Sequence, residues 1–160
     1  MLFEMRSGIW LAAASALVSG CVSGGNMFDS DCHVTWRDDG VMRTATTGNA
    51  VWTSMAGRDS VDLLGFNQSV GVEIYAAMPT PFTAQTFVCG QTTPDQPLIL
   101  TYRNGDPAGP AFETESCTVA FTQIGAVGTP VVGTFEMVFD LPSGGTKSIT
   151  NGSFEITLSM

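Results

Sequence analysis

Four cysteines, one histidine and fifteen acidic residues carry most of the chemistry open to this 160-residue chain. Cys21 has the most telling position. It follows Arg6, the apolar run Ile9-Trp10-Leu11-Ala12-Ala13-Ala14-Ser15-Ala16-Leu17-Val18, and the small residues Ser19-Gly20. A basic residue, a short greasy stretch and small residues before a cut are the parts of a secretory signal. The run is about half the roughly 20 residues that a membrane-spanning helix needs. The pattern therefore predicts a removable leader rather than a permanent anchor or a buried helix. Glu4 is out of place in a basic leader end, and initiation at Met5 would leave Met5-Arg6-Ser7 there.

Val18-Ser19-Gly20-Cys21 resembles the lipobox of bacterial lipoproteins. The resemblance implies a diacylglycerol on the Cys21 thiol, cleavage after Gly20, and acylation of the new amino group by a chain such as palmitate. Each buried CH₂ contributes roughly 0.8 kcal/mol, so two or more chains anchor stably where one does not. Val22, in place of an Asp, implies the outer membrane under enterobacterial-type sorting. A conventionally cleaved secretory peptide is the alternative reading of the same leader.

With Cys21 lipidated, Cys32, Cys89 and Cys117 remain. An oxidising compartment permits disulfides, and three thiols allow three pairings with one cysteine left over. Cys89 with Cys117 is the expected pair, since both border the middle β segments; Cys32 is then buried or open to a partner. No Cys-x-x-Cys or Cys/His spacing supports zinc, and neither a metal nor a cofactor is expected.

His33 stands beside Cys32, but adjacent strand residues point to opposite faces, which argues against a Cys–His nucleophilic pair. Gly-x-Ser-x-Gly and phosphate-binding glycine loops are absent. Asp29, Asp31, Asp38 and Asp39 could gather oxygens around Ca²⁺, though without the EF-hand pattern they read better as solvated loops. Asn67-Gln68-Ser69 and Asn151-Gly152-Ser153 match glycosylation acceptors and are read as chance. Trp36, Trp52 and Tyr75 could form a sugar-stacking platform, although strand aromatics usually pack in cores. The net charge of −9 survives loss of the leader, because Glu4 and Arg6 leave together. Such a surface repels nucleic acid and anionic lipid, so acyl chains must do the anchoring.

The segments that position these residues alternate. Phe135, Met137, Phe139 and Leu141 share one face; Phe154, Ile156 and Leu158 share another, as do Val70, Val72, Ile74 and Ala76, and Cys117, Val119 and Phe121. A period of two marks strands with one wet and one dry face. Asp38-Asp39-Gly40 reads as a hairpin turn; Asn151-Gly152 reads as a bulge inside the last strand, with the glycine at positive φ. Strands are expected over 32–37, 41–46, 50–55, 60–66, 70–77, 84–89, 97–103, 116–124, 131–141 and 147–158. These indicate an all-β fold, an antiparallel β-sandwich or partly closed barrel. Trp36, Trp52, Phe121, Phe135, Phe139, Phe154 and Ile156 are its expected core. Residues 1–20 are read as the lipoprotein signal peptide, 21–30 as a flexible tether and 31–160 as the β-sandwich domain.

Gly133-Thr134-Phe135-Glu136-Met137, followed beyond a glycine-containing turn by Ile149-Thr150-Asn151-Gly152-Ser153-Phe154-Glu155-Ile156, resembles the end of small β-sandwich lipoproteins of Gram-negative bacteria. In that group a G-T-F strand precedes an I-T-N-G-x-F strand. Thr44-Ala45-Thr46 with Trp52 resembles the opening strands. The resemblance implies fold and location and brings no catalytic residues with it. The whole pattern predicts a lipid-anchored, non-catalytic protein of the cell envelope that binds or braces another envelope protein, edge-strand pairing being one route. The alternatives are a receptor for a glycan or small ligand, and an acidic inhibitor of a cationic enzyme such as lysozyme.

Overall fold

The alternation resolves into eleven strands, with no helix among the described residues. They are β1 (Cys32–Asp38), β2 (Val41–Thr44), β3 (Thr47–Met55), β4 (Arg58–Asn67), β5 (Val70–Pro79), β6 (Thr86–Val88), β7 (Leu98–Asn104), β8 (Ala111–Glu113), β9 (Ser116–Gln123), β10 (Pro130–Asp140) and β11 (Thr146–Ser159). The computed structural model describes residues 32–67, 70–89, 98–104, 111–114, 116–141 and 144–160, with side chains left out for 32, 103–104 and 111–113. Residues 1–20, Cys21, the 21–30 tether, Asp29, Asp31 and the Cys32 side chain lie outside that description.

One layer runs β6-β9-β10-β11-β1-β2 and the other β3-β4-β5-β7-β8. Every pairing is antiparallel except one: the end of β11 runs parallel to β3, with Leu158 opposite Ala50 and Ser159 opposite Val51. That seam joins the layers into one continuous sheet, nearly closed into a barrel. At the neighbouring corner the Ala45 N–H donates to the Val34 carbonyl (2.8 Å) and the Thr46 N–H to that of Phe66 (2.6 Å). Tight turns feed the hairpins. Asp39-Gly40 (φ 48° and 85°) and Ala56-Gly57 (φ 52° and 80°) both take the left-handed pairs that match strand twist.

The core lies between the layers. Trp36, Phe121, Phe135, Phe139, Phe154 and Ile156 are buried as expected. Trp52 is not: it is only half-buried at the core's margin, its ring 5.9 Å from Phe82. Phe82 continues the contact to Phe87 and Phe121, and Phe121 to Phe154. The third residue in β6 is its last, so the expected 84–89 strand is shorter, and β8 was not expected. Three-residue edge strands carry too little alternation to be read from sequence.

The sulfurs of Cys89 and Cys117 lie at bonding distance, with Cα atoms 5.0 Å apart, in the expected pairing. The bridge continues the β6–β9 ladder by one step, since the Cys89 N–H also donates to the Cys117 carbonyl (2.9 Å). Pinning a loop of this length contributes about 3–4 kcal/mol in the chain-entropy description.

The two glycine-containing motifs face each other. Gly133-Thr134-Phe135 of β10 runs antiparallel to Gly152-Ser153-Phe154 of β11, so Gly133 opposes Phe154 and Phe135 opposes Gly152. Each ring lies over the opposite glycine. A Cβ at Gly133 would overlap Phe154 Cζ and the Ala120 carbonyl; one at Gly152 would sit 2.6 Å from Phe135 Cδ2 and from that residue's carbonyl oxygen. Phe135 and Phe154 stack with centroids 6.4 Å apart. Phe66 covers Gly71 in the same way across β4 and β5. The expected bulge is present, because the β10–β11 register slips between Phe135 and Met137. Its left-handed residue is Asn151 (φ 50°), however, and not Gly152. Gly152 is required by the Phe135 ring rather than by backbone angle.

These contacts separate two kinds of glycine. Gly133→Ala and Gly152→Ala should each cost about 1–3 kcal/mol by overpacking, with no relief from trimming the opposed ring, because the new methyl also meets backbone. At Gly71 the nearest atoms all belong to Phe66. The Gly71→Ala/Phe66→Ala double variant should therefore lose less than the sum of its parts in urea unfolding.

Candidate functional site

Ionic chemistry concentrates at the β1–β2 hairpin. Asp38, the last residue of β1, is 4% exposed and points between the layers. Lys147 Nζ on β11 lies 2.7 Å from Asp38 Oδ1, an ion-pair contact, and 3.8 Å from Asp39 Oδ2. From the other layer the Tyr102 hydroxyl of β7 donates to Asp38 Oδ2 (3.2 Å). Arg43 Nε on β2 stands 3.8 Å from the same oxygen. Lys147 also sits over the Tyr102 ring, 4.7 Å from its centroid, and that ring stacks on Phe139 at 4.9 Å. The Ser148 N–H donates to Asp39 Oδ1 (3.2 Å) and the Asp39 N–H to the Ser148 carbonyl (3.1 Å), which locks the hairpin tip to β11.

Burial raises the Tyr102 hydroxyl above its ordinary value of 10.0, and the nearby Asp38 charge adds to this against the relief from Lys147. For Lys147 burial works against the charged form. Its hydrogen bonds to Asp38 and Tyr102, with their charges, outweigh burial and hold the ammonium above 10.5. Near neutral pH the cluster thus contains a charged lysine and a neutral tyrosine. Neither is a nucleophile or a general base in that state.

A second buried carboxylate, Asp59 on β4, ties down the segment after β5. The Phe82 N–H donates to its Oδ2 (3.1 Å). Hydrogen bonding from Ser54 holds the carboxyl below the usual carboxylate range; burial opposes this, and the bonds to Phe82 and Thr80 reinforce it.

The outer faces of the two layers differ. Across the first, Thr44, Thr35, Ser153, Thr134, Ala120 and Thr86 form one row in register, hydroxyl-bearing at all but one position. Thr35 Oγ1 and Ser153 Oγ are 2.9 Å apart. Beside them a shallow groove of about 410 Å³ includes Glu136 and Asn151. Across the second layer the equivalent row is Val51, Asp62, Tyr75 and Ile99. Ile99 is 46% exposed and Met55, at the end of β3, 72%. Tyr75 lines two grooves there, one of about 430 Å³ with Met55 and Ala77, the other of about 420 Å³ with Ile99 and Thr101.

The sequence-derived candidates are dispersed. Trp36 is fully buried, Trp52 half-buried toward Phe82, and Tyr75 on an outer face, so no shared sugar platform is assembled. His33 is exposed and opposite Glu155. Asp38 is committed to Lys147 and Tyr102 rather than to a solvated loop. Among the described residues no group of three or more His, Cys, Asp and Glu is placed to hold a metal. Cys21 lies outside the described residues. Lys147, Tyr102 and Arg43 were not singled out from sequence. One signal was available: Lys147 is the chain's sole lysine.

Removing the Lys147 charge takes away the nearer of the two cations paired with buried Asp38 and leaves Arg43 Nε at 3.8 Å. Lys147→Met should cost roughly 3–5 kcal/mol, with part recovered by adding Asp38→Asn. Both raised groups bind protons more tightly folded than unfolded. Their stabilisation is complete below pH 10 and is lost as pH rises through the folded values. Denaturant titrations from pH 8 to 11 should show wild-type stability falling above about pH 10, and a shallower fall in Lys147→Met. Comparison of the chain with family models, with curated proteins and with solved structures finds no match.

Proposed function

We propose that the protein is a lipid-anchored, non-catalytic module of the bacterial cell envelope, tethered through Cys21 in the outer membrane and docking another envelope component on the outer face of β3, β4, β5 and β7. The leader pattern and the resemblance to small β-sandwich lipoproteins support the address. One observation carries the docking reading: the asymmetry between the two outer faces. The β9–β10–β11 face presents mainly hydroxyls, which water satisfies as well as any partner does, with Val138 (36% exposed) as an exposed apolar side chain in β10. The opposite face keeps Met55 and Ile99 exposed beside the Tyr75 ring. Apolar side chains grouped around an aromatic residue mark interaction surfaces.

The ligand-receptor alternative loses one of its three stacking residues, because Trp36 is inside the core, while Trp52 is half-buried and Tyr75 lies on an outer face. The acidic-inhibitor alternative loses one acid, because Lys147 pairs with Asp38.

Two measurements test the proposal. Mass spectrometry of the chain recovered from bacterial envelopes should give a product beginning at Cys21 with lipid attached; a retained leader or an unlipidated start elsewhere removes the anchor. A photo-crosslinking residue at Met55 or Ile99 should give one discrete envelope adduct, while the same residue at Thr134 gives none. Equal labelling from both faces would defeat the docking assignment.

A further inference from the structure

Strand direction sorts the connections between strands into two ends. β11 runs antiparallel to β1 and β10 and parallel to β3. The end toward which β11 points therefore gathers the β3–β4 turn, the β5–β6 connection, the β9–β10 loop and residues 159–160. The opposite end carries the β1–β2 and β10–β11 turns.

Charge divides along the same line. Arg37, Asp38, Asp39, Arg43, Asp140 and Lys147 all belong to the end with the β1–β2 and β10–β11 turns. At the other end, residues 54–59, 79–85, 124–129 and 159–160 include only two charged side chains, Arg58 and Asp59, and Asp59 is 3% exposed. Glu155 is the next acid up β11, four residues short of Ser159. What this end shows to water is apolar. Val127 is 42% exposed in the β9–β10 loop and Met160 88%. The Gly128 N–H donates to the Leu158 carbonyl (2.8 Å) and the Leu158 N–H to that of Thr129 (3.0 Å), which sets that loop beside the end of β11. Met55 stands at the corner where this end meets the docking face. Connections between strands are ordinarily polar, and grouped exposed apolar residues mark contact surfaces.

The same end lies nearer the start of the domain. Cys32 opens β1 opposite Ile156, three residues before Ser159 closes β11. It is thus about 10 Å from that end of the strand, whereas the Asp39-Gly40 tip is about 25 Å the other way. Ten residues stand between Cys21 and Cys32. Fully extended, they span at most about 40 Å. A lipid on Cys21 therefore keeps the domain close to the bilayer and presents the end nearer Cys32 to it.

We propose that this charge-poor end is a membrane-contact surface, resting on the bilayer that holds the Cys21 lipid, with Val127 and Met160 in the interface. The inference rests on the lipid-anchored reading and adds an orientation to it. Apolar tips gain by leaving water there, and almost no charge has to be stripped of its hydration. The acidic remainder of the surface is turned away from the headgroups, which suits a chain of net charge −9. A protein could also cover a bare apolar end. The tether decides for lipid, because it holds the bilayer at high effective concentration.

Vesicles of brominated phosphatidylcholine are the probe, loaded with the lipidated product matured in bacteria. Trp52→Phe leaves the fully buried Trp36 as an internal reference. A reporter is then added as Val127→Trp or, at the opposite end, as Val41→Trp; both sites are exposed. Bromine quenches only an indole that it touches. Emission from Val127→Trp should fall about twofold or more against unbrominated vesicles, while that from Val41→Trp stays level. Co-sedimentation separates the two readings. A chain that does not sediment with the vesicles has no anchor, and both readings fall. A chain that sediments with both reporters quenched alike, or neither quenched, keeps its anchor and overturns the end-on contact. A photo-crosslinking residue at Val127 that captures protein in place of lipid in intact envelopes overturns it as well.

Discussion

The fold depends on a reciprocal exchange of bulk between β10 and β11. At two neighbouring pairs one strand contributes a ring and the other nothing beyond backbone, with the roles reversed at the second pair. In a core packed at crystal-like density, a ring that lies flat across the neighbouring strand leaves no room for a Cβ beneath it. Placing glycine under each ring lets Phe135 and Phe154 lie down and stack at the centre of the molecule. From there Phe121, Phe82 and Phe87 extend the aromatic contact to one end of the sandwich. The bulge at Asn151 serves the same arrangement: it re-phases β11 so that Ile149 and Gly152 both face inward.

The opposite end is closed by charge rather than by rings. Asp38, Lys147 and Tyr102 come from three strands in two layers, so their contacts bridge the open side of a sheet whose strand ladder is closed at β11 and β3. Buried ion pairs seldom outdo well-packed apolar groups in stability. What this one supplies is position. The Asp39-Gly40 tip is pinned to Ser148, and the hairpin can take only one register against β11.

Much of this was legible in the residues. Strict alternation in β9, β10 and β11 announced strands and their inward faces, because a buried face leaves a period of two in the composition. Asp39-Gly40 announced a hairpin through the angles it must adopt. Ala56-Gly57 makes an equivalent turn with a weaker signature, since alanine seldom takes positive φ. The Asp38 cluster was not legible. Its members lie 64 and 109 residues from Asp38 along the chain, and nothing local to Tyr102 or Lys147 hints that they meet. Trp52 was misplaced for a related reason: alternation says which way a side chain points and not whether another layer reaches far enough to cover it.

The single parallel seam has a consequence for how the molecule assembles. β11 borders β1, β10 and β3, so a segment near one end of the chain supplies the common neighbour for strands made at the beginning and in the middle. During synthesis the earlier strands can form local hairpins such as β3–β4–β5. The β1–β2 hairpin and the β9–β10 ribbon have nothing to unite them until residues 146–159 emerge. Such long-range closure is slow compared with helical folding. A chain built this way becomes rigid once β11 has joined its three neighbours.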